Sequence, residues 1–106
     1  MTFNFKEFLD KKSTWSERTF GPGLRTKGII DHITKELKEI EEQPLDLSEW
    51  IDIVNLALDG SWRAGYSSEQ IINELITKHI RNEHRTWPDW RTSDPDKAIE
   101  HVKINK

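Results

Sequence analysis

Apolar side chains recur along this chain at spacings of three and four residues, and no stretch keeps the strict alternation of a half-buried strand. Phe5, Phe8 and Leu9 predict a short helix over 3–10. The next stretch, 13–23, carries four hydroxyl residues before Gly21-Pro22-Gly23 and reads as a structured loop. A main helix follows over 24–42, with Ile29, Ile33, Leu37 and Ile40 on one side, and Pro44 ends it. Asp46 is a good N-cap for a second helix, whose line Leu47, Trp50, Val54, Ala57 and Leu58 is predicted to face inward, with Gly65 as its stop. Ser67 with Gln70 forms a capping box for a third, carrying Ile72, Leu75, Ile76, His79 and Ile80 inward and ending before Trp87-Pro88. Asp94-Pro95 predicts a last short helix containing Ile99 and Val102. The pattern describes an all-α antiparallel helical bundle, three main helices plus short terminal ones, forming a single domain over 1–106.

Composition makes that bundle a lean one. Hydrophobic residues supply 34% of the 106 positions and charged residues 33%, the latter above the roughly 25% of an ordinary domain. Five Trp and four Phe concentrate the apolar surface in few positions, so part of the burial is expected to come from another subunit. No apolar run approaches the length of a membrane span, and the polar N-terminus has no signal-peptide core. The lack of cysteine excludes disulfides and thiolate zinc sites and is compatible with a reducing cytoplasm. The net charge of −3 is unevenly spread: residues 1–30 carry +3, residues 31–59 carry −7, and the stretch from Lys78 to Arg91 carries +2. An acidic centre between basic flanks suits a cation in the middle and an anion at the edges. With a pI near 5.8 the chain does not read as a binder of polymeric nucleic acid, but a small phosphorylated ligand fits.

The acids have a pattern of their own. Glu36 and Glu39 are three apart on one helix, and Glu49 and Asp52 three apart on the next, so each pair shares a helix face. A short turn around Pro44 makes the two helices antiparallel, and both cross-pairs are equidistant from position 44. Four carboxylates at one level repel unless a cation lies between them. Hard oxygen donors without His or Cys favour Mg²⁺ or Mn²⁺ over zinc. Glu49 is equally placed to close a capping box with Asp46, and His32, one turn before Glu36, reads as a support for the acids rather than a ligand.

Other candidates carry two readings each. Lys78, Asn82 and Arg85 fall at i, i+4 and i+7, a stripe suited to several phosphate oxygens or to solvent. Arg25 precedes a helix N-terminus, where an anion is favoured. Trp15 and Phe20 suit stacking on a base or stapling the loop to the core. Asp59 suits a ligand hydroxyl, or a cap or bridge to Arg63.

Glu36-x-x-Glu39 followed by Glu49-x-x-Asp52 resembles the paired-acid signature of the MazG-like all-α nucleoside triphosphate pyrophosphatases. Trp15-Ser16 through Thr19-Phe20-Gly21-Pro22-Gly23-x-Arg25, His32-x-x-Lys35-Glu36-Leu37-x-Glu39-Ile40, Glu49-Trp50-Ile51-Asp52 through Leu56-Ala57-Leu58-Asp59-Gly60-x-Trp62-Arg63-x-Gly65 and Lys78-x-x-x-Asn82-x-x-Arg85-x-Trp87-Pro88 together resemble the dATP/dGTP diphosphohydrolase (MazZ) family over residues 13–90. Two features depart from the superfamily: Lys35 stands where a second Glu often opens the first pair, and only nine residues separate the pairs.

The resemblance implies hydrolysis of a purine deoxynucleoside triphosphate, dATP or dGTP, to its monophosphate and pyrophosphate. Mg²⁺, with Mn²⁺ substituting, would be held by Glu36, Glu39, Glu49 and Asp52, and would activate a water for attack on the α-phosphorus, oriented by Glu36 or Glu39. Lys78, Asn82 and Arg85 would hold the β- and γ-phosphates, and Trp15, Phe20, Arg25 and Asp59 would contact the nucleoside. It further implies a homo-oligomer, dimer or tetramer, acting in the cytoplasm; the family is often found in phages, which act in the host cytoplasm. The alternatives are a pyrophosphohydrolase for a pyrimidine or modified dNTP, and a non-catalytic nucleotide-binding helical module.

Overall fold

The first helix, α1, runs Phe5–Phe20 in the structure, a computed structural model that describes residues 2–103. Asn4 caps it, its side chain accepting from the Glu7 amide at 3.0 Å. The expected short helix over 3–10 and most of the loop expected over 13–23 are therefore one element, and only 21–23 of that loop lies outside it. Nothing before Gly21 breaks a helix, and the hydroxyls that signal a loop are absorbed: Thr14 Oγ1 donates to the Asp10 carbonyl at 3.0 Å, and Ser16 turns inward. Gly21, at φ +91°, stops α1, and its amide donates to the Glu17 carbonyl.

Helix α2 spans Thr26–Glu42 and α3 spans Leu47–Arg63, with the turn at Pro44 between them as predicted. The first turn of α3 is closed by Asp46, whose Oδ1 accepts from the Ser48 amide and hydroxyl, and Trp50 Nε1 donates back to the Pro44 carbonyl at 2.9 Å. Helix α4, Ser68–His84, starts with the predicted capping box: the Ser67 amide donates to Gln70 Oε1, and the Gln70 amide donates to Ser67 Oγ. The predicted helix after Asp94-Pro95 does not form. Instead a single 3₁₀ turn occupies Trp90–Thr92, and the Val102 amide donates to the Thr86 carbonyl. With only Ile99 and Val102 to bury, one helical turn does not offset the cost of nucleating it. No strand occurs among the described residues, and none of their helices is long and apolar enough to cross a membrane.

The chain divides into two compact units, Met1–Ile72 and Asn73–Lys106. In the first, α2 packs chiefly on α3, and α1 also packs on α3. Among its described residues the buried apolar ones are Leu9, Ile29 and Ile40, of which Leu9 alone is fully enclosed. Of the predicted inward line of α3 only Leu58 is half-buried: Leu47 is 71% exposed, and Trp50, Val54 and Ala57 are exposed too. The half-buried side of α3 is Glu49, Asp52, Ile53, Leu56 and Asp59, because the helix turns its acids rather than its largest hydrophobes toward its neighbours. In the second unit Leu75, Ile76, His79 and Ile80 of α4, also predicted to be inward, are exposed.

Candidate active site

The α2–α3 hairpin brings Glu36, Glu39, Glu49 and Asp52 together, each offering a carboxylate oxygen within 4.8 Å of the others. The level-matching expected from the turn at Pro44 is thus realised. Glu36 is buried, Glu49 is half-buried and Glu39 is exposed. Glu49 does not close a capping box: the Asp46 amide donates to the Gln43 carbonyl, and Asp46's own side chain caps the helix.

The electrostatics of this cluster are those of crowded anions. Burial raises the Glu36 carboxyl above its ordinary range, hydrogen bonding to Glu39 and the charges of Glu39 and Asp52 add to the rise, and His32 opposes it. Hydrogen bonding to Glu39, then burial and the charges of Glu39, Asp46 and Glu36, push Glu49 up to about 7. His32 Nε2 lies 3.1 Å from Glu36 Oε1 and steadies that oxygen. The other oxygen, Glu36 Oε2, and Glu49 Oε2 are buried without any hydrogen-bond partner. Buried acceptors of that kind are costly unless something electropositive meets them. The donor set is all hard oxygen, so the site fits a divalent cation of the Mg²⁺ or Mn²⁺ type.

A cavity of about 390 Å³ opens beside the acids and reaches Glu36 and Asp52. Trp15, Phe20, Arg25 and Asp59 all line it. Trp15 and Phe20 meet edge to face with ring centroids 5.6 Å apart, and the Arg25 guanidinium lies 5.8 Å from the Phe20 centroid. The planar groups therefore form one wall, placed by the last turn of α1 and the start of α2. The bridge reading of Asp59 is realised, Arg63 Nε donating to its Oδ2 at 2.9 Å, and Asp59 also lines the cavity.

Lys78, Asn82 and Arg85 belong to the second unit, where they keep their stripe on α4. Lys78 and Asn82 are exposed, and Arg85, just past the helix, donates from Nη1 to Asn82 Oδ1 at 3.1 Å. Trp87 Nε1 donates to the Asn82 carbonyl, which fixes the end of the helix.

Several cavity residues escaped the sequence reading. Lys12 shares a helical face with Trp15 and Ser16, a spacing hidden once that stretch is read as a loop. Asn55, Leu56 and Trp62 also line the cavity, and Asn55 lies between Asp52 and Asp59 at i+3 and i−4, a signal the spacing did contain.

A model of the dATP/dGTP pyrophosphohydrolase family matches residues 8–105 of the chain. No curated protein and no solved structure matches it.

Proposed function

Because the chain belongs to the dATP/dGTP pyrophosphohydrolase family, we propose that this nucleotide pyrophosphohydrolase cleaves dATP or dGTP between the α- and β-phosphates with Glu36, Glu39, Glu49 and Asp52 holding Mg²⁺ or Mn²⁺. The convergence of four carboxylates within 4.8 Å, beside a cavity with an aromatic wall, is the observation that carries this reading. When bound, the cation supplies charge neutralisation for the triphosphate and Lewis acidity toward water.

The chain's own residues do the rest. Glu36 or Glu39 orients the attacking water and takes its proton. Attack in line on the α-phosphorus forms the new P–O bond of the monophosphate as the bond to the bridging oxygen breaks, and pyrophosphate leaves. Trp15 and Phe20 offer planar faces to the base, and Arg25 adds a cation at their edge. Asp59 keeps acceptor capacity for a base amino group, which both purines can present. Lys78, Asn82 and Arg85, in the second unit, carry charge and donors suited to β- and γ-phosphate oxygens. Leu47, Trp50 and Val54, exposed on α3, support assembly into a homo-oligomer.

The test is a panel of dNTPs incubated with Mg²⁺ or Mn²⁺, with pyrophosphate and orthophosphate resolved. Purine dNTPs release pyrophosphate, and Glu36→Gln lowers kcat by about 10²-fold or more while leaving the helical signal intact. Pyrophosphate from pyrimidine substrates alone, or none from any dNTP, overturns the assignment.

A further inference from the structure

The side chain of Arg63, in the last turn of α3, is only 6% exposed although a cation at a helix end ordinarily faces water. Its burial is matched bond for bond. Nε donates to Asp59 Oδ2 at 2.9 Å. Nη1 donates to the Gly21 carbonyl at 2.8 Å and the Gly23 carbonyl at 2.9 Å. Nη2 donates to Ser16 Oγ at 3.2 Å and to the Ser16 carbonyl at 3.4 Å. Every guanidinium N–H thus has an acceptor. Ser16, itself buried, donates its hydroxyl to Asp59 Oδ1, so both Asp59 oxygens are engaged as well.

This clasp joins two regions that are 40 or more residues apart in sequence: the C-terminal half of α1 with the Gly21-Pro22-Gly23 reversal that follows it, and the end of α3. Gly21 and Gly23 stand at φ +91° and +88°, a region closed to most side chains, and it is their carbonyls that Arg63 takes. The residues flanking those attachment points are Trp15, Phe20 and Arg25, the planar wall of the 390 Å³ cavity. Arg63 itself does not line that cavity; it lines a separate one of about 220 Å³, and Asp59 lines both.

We propose that Arg63 is a positioning residue: through Ser16, Asp59 and the glycine reversal it holds the aromatic wall in register with the carboxylate cluster, and so sets nucleotide affinity and base discrimination without touching the substrate. The proposal rests on the cavity being the nucleoside site. Lysine keeps the charge but lacks the planar fork and cannot span five acceptors.

The test compares Arg63→Lys and Ser16→Ala with the wild type by steady-state kinetics and by hydrogen–deuterium exchange of the peptide covering residues 13–28. Arg63→Lys raises KM for purine dNTPs by about ten-fold or more, leaves kcat within about three-fold and narrows the purine-to-pyrimidine ratio of kcat/KM. Exchange over 13–28 quickens, and Ser16→Ala moves each readout in the same direction by less. Should Arg63→Lys fail to fold, Ser16→Ala decides alone. Unchanged KM (within about two-fold) and unchanged exchange in a folded variant overturn the proposal, as does a loss carried by kcat. Absence of turnover in the wild type overturns the functional reading instead, and the exchange measurement still decides whether the clasp holds the wall.

Discussion

Glu49 ties cation binding to pH in a way that can be worked through. Its carboxyl is pushed up to about 7, so near neutrality the free site holds a proton that a cation must displace. The apparent dissociation constant rises by the factor 1 + 10^(pKa − pH), about eleven at pH 6, about two at pH 7 and about 1.1 at pH 8. Mn²⁺, if held by the proposed ligands, is therefore expected to bind about ten-fold more tightly at pH 8 than at pH 6, and the raised Glu36 is expected to add to the slope rather than oppose it. The cation-free fold responds in the opposite sense. A carboxyl raised on folding contributes stability that is fully present below its unfolded value near 4.5 and is lost as pH rises through about 7. Isothermal titration with Mn²⁺ at pH 6, 7 and 8, in two buffers of different ionisation enthalpy, reads both affinity and proton release, expected near one proton per site at pH 6. Glu49→Gln should flatten the pH dependence and weaken binding at pH 8. Equal affinity at pH 6 and pH 8 with no proton released would refute the coupling.

Leu9 is the one fully enclosed apolar side chain among the described residues, so Leu9→Ala is expected to cost roughly 3–5 kcal/mol and lower the melting temperature by on the order of 10–30 °C. Leu45→Ala, at a site 98% exposed, is the control; circular dichroism melts showing equal losses would contradict the burial argument. Val54→Asp places a charge on the outward apolar line of α3 and is expected to lower the mass measured by light scattering toward that of one chain. A wild type that is already monomeric would remove the oligomer from the picture.

The parts of the fold legible in the sequence are those set by local chemistry. Pro44 between two apolar repeats, Asp46 at an N-cap and the Ser67–Gln70 capping box each act within a few residues, and each helix start or stop they imply is present. The carboxylate cluster was legible for the same reason, since a short turn makes level a matter of counting from position 44. The misreadings have non-local causes. Ser13, Thr14 and Ser16 signal a loop by propensity, but Ser16 is buried against Asp59, 43 residues away. Leu47, Trp50 and Val54 look like a core face by hydrophobicity alone, whereas the hairpin gives its inner side to Glu49 and Asp52. The Asp59–Arg63 bridge was within reach of helical spacing, but Arg63's other acceptors at Ser16, Gly21 and Gly23 lie 40 or more residues upstream and leave no local signal.

The three-residue apolar core has a consequence for the life of the molecule rather than for its chemistry. Leu9, Ile29 and Ile40 leave little reserve against opening of the chain. Whatever binds the closed form, cation, nucleotide or a second copy, draws the population away from open forms that proteases cut. A chain built this way is expected to resist proteolysis better with a ligand bound than without one.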